Sequence, residues 1–175
     1  MALKVLSPDI SHKSDVGGVR LGLASPGEVE TATAEMLATV RSARPEARID
    51  GVLVQRMARP GKELLVGMVR DPQFGPLVMV GLGGIYVEVL KDTVARLAPV
   101  SPTEALAMLN ELRMAPLLRG VRGEAPVDRN AIADIMCRFA RLTMQVPDLS
   151  EIEINPLVAS ATGATAVDAR GTLGP

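Results

Sequence analysis

Apolar residues recur along this chain with two different periods, and these predict helices and strands in separate stretches. The helical period follows Ser25-Pro26, where Ser is a favoured N-cap and Pro a favoured first helical residue. It continues to Arg44. A second helix is predicted over residues 101–112 with Ser101 as its N-cap, and the longest over residues 129–146. In the longest helix the predicted apolar stripe comprises Ile132, Ile135, Met136, Phe139, Leu142 and Met144.

The shorter apolar segments alternate with polar residues or lie between Pro- and Gly-rich turns, which is typical of strands. Strands are predicted over residues 3–6, 19–23, 51–57, 63–69, 77–80, 94–100, 152–158 and 165–169. The last two are expected to form a hairpin around the turn Ser160–Gly163. Because strands mostly adjoin strands, the order predicts an α+β fold with antiparallel sheets and flanking helices.

Composition narrows the possible classes of protein. Apolar residues make up 47% of the 175 residues and charged residues 22%, as in ordinary globular proteins. The net charge of −1 offers no basic surface, so neither nucleic acid nor a membrane is expected as a partner. The single cysteine, Cys137, lies in an apolar helical pattern and is interpreted as a buried thiol, which suits the cytoplasm.

The first cluster of candidate chemistry lies near the N-terminus. Lys4 interrupts an apolar strand, and the polar segment SPDISHKSDVGG occupies residues 7–18 with the only histidine, His12. Gly17 and Gly18 would permit close approach of a ligand and leave amides for anionic oxygens. The alternative is a solvated surface loop beside an edge-strand lysine.

The second cluster is the glycine sequence GLGG at residues 81–84, with Glu88 behind it. It lacks the Gly-Lys-Ser/Thr of a phosphate-binding P-loop, and the short segment after it does not match a dinucleotide-binding fingerprint. A glycine loop at a ligand and a plain turn both remain possible.

The third cluster is EIEINPL at residues 151–157, with Asp168 on the returning strand. Alternation places Glu151, Glu153 and Asn155 on one face, opposite the isoleucines. If the hairpin pairs as predicted, Asp168 comes opposite Asn155. A carboxylate and an amide oxygen there would suit Mg²⁺, which usually keeps phosphate and water ligands as well. The alternative is a solvated acidic face of an ordinary strand.

Taken in order, these clusters resemble the ATP-grasp domain of the NDP-forming acyl-CoA synthetases. The motifs that carry the resemblance are Lys4, SPDISHKSDVGGV, LVQRM, KELLVG, RDPQFGP, GLGG, EIEINPL and VDA. The family includes the ADP-forming acetate–CoA ligases, and the β subunit of succinyl-CoA synthetase is a more distant relative. The resemblance covers residues 3 to about 173.

The resemblance implies a nucleotide site holding ATP or ADP. Lys4 matches a lysine that contacts nucleotide phosphate, and Ser11, His12 and Lys13 match a loop that covers the phosphates. The segment Gln55, Arg56, Met57 and Ala58 matches the hinge whose backbone meets the adenine. Glu63 matches a nucleotide-contacting acid.

The resemblance also implies the metal and the transfer chemistry. Asn155 and Asp168 match the Mg²⁺ ligands. Glu153 matches the acid that orients the phosphoryl-accepting histidine, which lies in a CoA-binding part of the enzyme. His12 matches a second phosphate carrier of some ADP-forming members. The implied reaction joins an acid to CoA, with a phosphohistidine carrying phosphoryl between ATP or ADP and the acyl site.

Family members carry further residues before the lysine strand, together with CoA-binding and ligase domains. We therefore expect a fragment of an acid–CoA ligase, inactive by itself, that works with a CoA-binding domain or α subunit. Residues 1–50 would be the remnant of a first ATP-grasp lobe, incomplete at the N-terminus, and residues 51–175 the second lobe. An exposed strand edge in the first lobe would favour a homo-oligomer.

Two other functions remain as alternatives. One is an ATP-grasp module of a larger fusion, such as a protein acyltransferase, that senses nucleotide or acyl-CoA without turnover. The other is a carboxylate–amine ligase of the same fold. EIEINPL and SPDISHKSDVGGV argue against the carboxylate–amine ligase.

Overall fold

The structure is a computed structural model that describes residues 1–10, 12–83 and 92–174. The chain forms two compact units, Met1–Met57 and Ala58–Pro175. The strand Gly51–Gln55 belongs to the first unit because it pairs with the first strand of the chain. Whether the two units are the two lobes of an enzyme stays a prediction.

The first unit is a three-stranded antiparallel sheet with one long helix. Its strands are β1 (Ala2–Leu6), β2 (Val19–Arg20) and β3 (Gly51–Gln55), in the order β2-β1-β3. A short 3₁₀ helix spans Lys13–Val16, and α1 spans Pro26–Ala43. The side chain of Ser25 accepts a hydrogen bond from the Glu28 amide, so the predicted start of α1 is confirmed. The buried core residues of this unit are Leu3, Val5, Ile10, Ala32, Met36 and Val40.

The second unit is built on a six-stranded sheet in which every pairing between described strands is antiparallel. Four strands follow the order β6-β5-β4-β7, and β8 and β9 both pair with the long strand β7. Their bounds are β4 Lys62–Asp71, β5 Gly75–Leu82, β6 Thr93–Leu97, β7 Leu149–Ser160, β8 Gly163–Ala166 and β9 Ala169–Leu173.

Among the described residues of this unit, three helices pack on one face of the sheet: α2 (Pro102–Glu111), α3 (Ala115–Leu118) and α4 (Arg129–Gln145). The core combines one face of the sheet with the buried sides of the helices; its fully buried large residues are Leu64, Val66, Met68, Met108, Leu109, Ile132, Met136 and Leu157. The predicted α4 stripe is correct for Ile132, Met136 and Phe139. It is wrong for Leu142 and Met144, which are exposed because they lie on either side of the buried stripe, which continues through Ala140 and Thr143.

Other sequence predictions are confirmed or corrected locally. The turn between β7 and β8 lies where it was predicted, at Ser160–Gly163. Cys137 is half-buried and not fully buried, and partial burial raises the pKa of its thiol. In the part of the chain that the structure describes, no helix has both the length and the apolar character needed to cross a membrane.

Candidate functional site

The polar residues of EIEINPL lie on the side of β7 that faces away from the helices. Ile152 and Ile154 pack against the core, so alternation turns Glu151, Glu153 and Asn155 to the other side. We call these three residues, with their cross-strand neighbours on the C-terminal segment, the acidic face. Those neighbours are Asp168 opposite Asn155, Arg170 opposite Glu153 and Thr172 opposite Glu151.

Asn155 and Asp168 occupy opposite positions of one continuous register. Ile154 pairs with Ala169 on one side of them and Leu157 with Ala166 on the other. The backbone N–H of Asn155 donates to the carbonyl oxygen of Asp168 at 3.1 Å. Directly opposite residues of an antiparallel pair project from the same face, so the predicted pairing of this hairpin is confirmed.

A β-bulge on the other edge of β7 lies at the same place. Leu64 pairs with Leu157 but Val66 pairs with Ile154, so Asn155 and Pro156 together oppose the single residue Leu65. A bulge bends a strand and redirects side chains, and bulges are frequent beside active sites. The polar end of the acidic face is therefore set by a local irregularity that periodicity does not reveal.

Glu153 lies between a glycine and an arginine in a row across three strands. Gly67 on β4 pairs with Glu153, and Glu153 pairs with Arg170 on β9. The Arg170 Nη2 lies 3.3 Å from the Glu153 Oε1, and the side chains are 44% and 34% exposed. In the next row, the hydroxyl of Thr172 donates to Glu151 at 2.8 Å.

The side-chain oxygens of the acidic face are of the kind that Mg²⁺ prefers, and Mg²⁺ usually takes only a few ligands from the protein. Asp168 offers a carboxylate and Asn155 an amide oxygen from opposite positions of the paired strands, and both residues are half-buried. No group of three or more His, Cys, Asp or Glu side chains that could enclose a metal occurs among the residues described. One carboxylate and one amide oxygen suit a cation that takes its remaining ligands from phosphate and water.

Lys4 is buried in the first unit, with 6% of its surface exposed. It lies in the middle of β1 and pairs with Val19 and Leu53 on the two neighbouring strands. Its position fits the predicted lysine within a strand and excludes an exposed edge-strand lysine. A buried ammonium group requires an interaction with polar or anionic groups, and Lys4 makes interactions in the structure.

His12 is exposed at the start of the 3₁₀ helix and makes no side-chain capping bond to it. The loop differs from the sequence prediction in one respect. The amides of Gly17 and Gly18 are not available for anions, because they donate to the carbonyls of Ser14 at 3.1 Å and Lys13 at 2.7 Å. A β-carbon on Gly18 would lie 2.6 Å from Val5, so this glycine serves close packing. Ser11 lies outside the described residues.

The remaining predicted nucleotide contacts fall in both units. Gln55 ends β3 opposite Ala2; Arg56 and Met57 are exposed, and Ala58 begins the second unit. Glu63 is exposed on β4, and its carbonyl oxygen accepts the Gly83 amide at 2.9 Å.

The described part of GLGG continues β5 as far as Leu82, so the loop prediction is wrong for residues 81–82. A β-carbon on Gly81 would lie 2.7 Å from the Asp92 carbonyl oxygen, and one on Gly83 would lie 2.6 Å from the Leu64 backbone. Close strand packing therefore accounts for these two glycines. Gly84 and Glu88 lie outside the described residues.

Sequence reasoning missed Arg170, the cation of the acidic face. Its signal was available, because Arg170 lies two residues after Asp168 and strand alternation places both on one face. It was missed because Ala169–Leu173 was not predicted as a strand beyond its first residue.

With this geometry established, comparison with known proteins identifies the family. The ATP-grasp domain family matches residues 1–173, and the chain belongs to it. The fold prediction is thereby confirmed. The ADP-forming acetate–CoA ligases are similar to it in sequence, as the resemblance indicated.

Two curated relatives give the extent of the match. Acetate–CoA ligase [ADP-forming] I of Archaeoglobus fulgidus is 49% identical over 99% of this chain, which spans 25% of that ligase. The β subunit of acetate–CoA ligase [ADP-forming] I of Pyrococcus furiosus is 45% identical over 97% of this chain, which spans 73% of that subunit.

A solved synthetase has the same fold. Dinucleotide-forming acetyl-coenzyme A synthetase 1 of Ca. Korarchaeum cryptofilum, in complex with coenzyme A, Ca-AMPCP and HgCl⁺, is 45% identical with a TM-score of 0.95. The match covers 98% of this chain and 75% of that one. A second structure of that synthetase holds coenzyme A and Mg-AMPPCP, with a phosphohistidine segment pointing towards the nucleotide binding site. It is 41% identical with a TM-score of 0.85, and the match covers 99% of this chain and 76% of that one.

Proposed function

We propose that this chain is the nucleotide- and Mg²⁺-binding part of an NDP-forming acyl-CoA synthetase. The observation that carries the proposal is the register of the acidic face, which pairs Asn155 with Asp168 and aligns Glu153 on the same side of β7. The similar Korarchaeum structures hold nucleotide analogues with a divalent cation, which supports a phosphate-bound metal in this fold.

The overall reaction joins an acid to CoA at the expense of ATP, which leaves ADP and phosphate, and it is reversible. A histidine supplied by a CoA-binding domain or an α subunit carries the phosphoryl group between the nucleotide and the acyl site. The Pyrococcus relative is named a β subunit, which supports such a partner. The predicted place of the reaction is the cytoplasm.

Two residues of the acidic face would hold the metal. Asp168 supplies a carboxylate and Asn155 an amide oxygen, and phosphate oxygens and water complete the coordination. When bound, Mg²⁺ neutralises the charge that develops on the transferred phosphoryl group. The paired strands hold the two residues opposite each other, so little reorganisation of the backbone is needed when nucleotide binds.

The resemblance assigns further residues to nucleotide contacts. Lys4 would neutralise phosphate, and its low exposure would strengthen that charge interaction. Ser11, His12 and Lys13 would cover the phosphates. The backbone of residues 55–58 would meet the adenine and Glu63 the rest of the nucleoside, so this chain supplies mostly positioning and electrostatics.

Glu153 would serve the transfer step itself. In the direction of ligation, a ring nitrogen of the incoming histidine donates its electron pair to the terminal phosphorus. The bond between that phosphorus and its bridging oxygen breaks, and its electrons stay on ADP. The other ring nitrogen keeps its proton and donates a hydrogen bond to Glu153, which stabilises the positive charge that develops on the imidazole.

Binding of nucleotide to this chain tests the metal assignment. We expect Mg²⁺ to tighten ADP binding in calorimetry, and we expect Asp168→Asn to weaken binding in Mg²⁺ at least about tenfold. The matched control is Asp148→Asn, an exposed acid just before β7. Equal affinities of wild type and Asp168→Asn in Mg²⁺ would contradict the assignment.

Turnover of the full-length protein separates the proposed ligase from a sensing module. We expect ATP-dependent, acid-dependent formation of acyl-CoA, with ADP as product. Tight nucleotide binding without any acyl-CoA formation across a panel of carboxylic acids would favour the sensing module.

A further inference from the structure

The ion pair between Glu153 and Arg170 lies where the proposed transfer takes place. Arg170 is directly opposite Glu153 across β7 and β9, and it is two residues beyond Asp168 on the same face. Successive residues of one strand face are about 7 Å apart. A guanidinium group thus lies one row away from the proposed metal ligands and in contact with the proposed histidine-orienting acid.

The surroundings of this pair leave room for a ligand. Gly67, which pairs with Glu153 on the other side, contributes no side chain, and a small cavity of about 90 Å³ lies over this part of the sheet. Its lining includes Gly67, Met79, Glu153 and Arg170. A β-carbon on Gly67 would come within 3.3 Å of Met79, so a larger residue there would crowd the cavity.

The geometry of the pair is that of a contact that can open. The Nη2–Oε1 distance is 3.3 Å, longer than a strong charge-assisted hydrogen bond, and both side chains are more than one-third exposed. Such exposed pairs contribute little to stability, so their partners can be exchanged at low cost. Arginine presents a planar group of donors that matches phosphate oxygens better than it matches a single carboxylate oxygen.

We propose that Arg170 contacts the phosphoryl group during transfer and that Glu153 and Arg170 exchange partners when the histidine arrives. This inference rests on the proposed function. Before transfer, the guanidinium holds the Glu153 carboxylate over the sheet. As the imidazole approaches, Glu153 accepts the ring N–H and Arg170 donates to the oxygens of the transferred group. The histidine nitrogen bonds to phosphorus, the bridging oxygen leaves with ADP, and Arg170 gains and loses no proton.

Exchange of label between ADP and ATP in the full-length protein isolates this step, because it requires transfer to the histidine and back without acyl chemistry. We expect Arg170→Gln to lower the exchange rate constant about 100-fold, as loss of a donor to developing charge does elsewhere. The affinity for Mg-ADP should change less than about threefold, because ADP lacks the transferred group. Arg170→Lys, which keeps the charge, should exchange label about tenfold faster than Arg170→Gln.

A double substitution separates contact with phosphoryl from mere support of Glu153. In a Glu153→Gln background, Arg170→Gln should lower exchange by about a further tenfold or more, because the phosphoryl contact is lost as well. The matched control is Arg138→Gln, which removes an exposed arginine that pairs with Asp134 on α4, and it should leave exchange within about twofold. Thermal unfolding of each variant checks that it is folded.

The outcomes distinguish this inference from the proposed function. Exchange by Arg170→Gln at the wild-type rate would overturn the inference alone. No further loss in the Glu153→Gln background would show that Arg170 acts only through Glu153, which also overturns it. Absence of exchange in the wild type, with nucleotide bound, would overturn the proposed function and the inference with it.

Discussion

Asn155 and Asp168 are directly opposite each other on paired strands, joined by a backbone hydrogen bond of 3.1 Å. The register of the sheet places the two residues at equivalent positions on neighbouring strands, so the two donors should be exchangeable. We expect the double variant Asn155→Asp with Asp168→Asn to keep Mg²⁺-dependent nucleotide binding within about tenfold of wild type, because one carboxylate and one amide remain at the same two positions.

The single variant Asp168→Asn is the comparison for this double variant. Asp168→Asn removes the only carboxylate of the proposed pair and should bind nucleotide with little dependence on Mg²⁺. Calorimetry at several Mg²⁺ concentrations measures both. If the double variant is as defective as Asp168→Asn, the two positions are not equivalent and the metal site is not built from this pair.

His12 is the second residue whose proposed role can be isolated. It is exposed and makes no capping bond to the 3₁₀ helix, so its loss should leave the fold unchanged. We expect His12→Ala in the full-length protein to lower acyl-CoA synthesis at least about 100-fold while the Kd for ADP changes less than about threefold, as for a group that acts in transfer.

A neighbouring substitution serves as the control for His12. Ser14→Ala changes an exposed polar residue of the same segment. No chemical role is proposed for Ser14. It should retain most of the turnover. Normal turnover by His12→Ala would reduce His12 to a loop residue.

Arg70 on β4 gives a prediction about stability. Its guanidinium donates to the carbonyl oxygens of Thr143 at 2.6 Å and Val146 at 3.0 Å, and its Nε donates to Leu149 at 2.9 Å. It thus satisfies carbonyls at the end of α4 and joins them to the start of β7. Arg70→Met should lower the free energy of unfolding by about 2 kcal/mol, because partly buried acceptors lose their donors.

Urea unfolding of the two arginine variants checks this. Arg138→Met, which removes an exposed helical ion pair, should cost less than about 0.5 kcal/mol. Equal effects of the two substitutions would show that the bonds of Arg70 add nothing beyond an ordinary surface arginine.

The capping box of α2 predicts a dependence of stability on pH. Ser101 donates from its hydroxyl at 2.6 Å and from its amide at 2.9 Å to Glu104, and the two bonds lower the pKa of that carboxyl. Because the folded pKa is below the unfolded one, this stabilisation is complete above the unfolded pKa of about 4.3 and is lost as pH falls through the folded pKa.

Removal of the cap should therefore matter more at neutral pH than in acid. Ser101→Ala is expected to lower the melting temperature at pH 7, and the difference from wild type should shrink below about pH 4. Glu104→Gln, which cannot ionise, should also lower the melting temperature more at pH 7 than in acid. Melting curves between about pH 3 and pH 7 measure it, and a difference that grows in acid would contradict the assignment.

The sequence predicted the features that depend on neighbours along the chain. The start of α1 at Ser25-Pro26 and the turn at Ser160–Gly163 follow from local backbone chemistry, and both are confirmed. The sequence also predicted that Asn155 and Asp168 lie opposite each other, because the position of a hairpin turn determines which residues pair.

Features that depend on distant residues were not predicted. Gly81 and Gly83 suggested a loop, but they pack against Thr93 and the Leu64 backbone, and sequence spacing does not reveal that contact. One local feature was missed as well, because the amides of Gly17 and Gly18 were expected to be available and a 3₁₀ turn uses them. The bulge at Asn155-Pro156 depends on the pairing of β4 with β7, so alternation within EIEINPL could not predict it.

The last prediction concerns what this chain does by itself. The proposed reaction needs an acyl site, CoA and a primary phosphoryl-accepting histidine, and the sequence has one histidine, His12. The proposed role of His12 is that of the secondary carrier. The Archaeoglobus ligase is about four times as long as this chain, because the match to 99% of the chain spans 25% of the ligase. We therefore expect no acyl-CoA synthesis by the 175-residue chain, even where Mg-ADP binds.

A mixing experiment makes the prediction specific. The 175-residue chain is assayed alone and then with a separately produced CoA-binding part of the full-length protein, with the full-length protein as the positive control. Activity should be absent from the chain alone and present in the control, since transfer requires a histidine that the chain does not contain. Robust synthesis by the chain alone would show that His12 suffices for the whole cycle, and the assignment of two phosphoryl carriers would then be wrong.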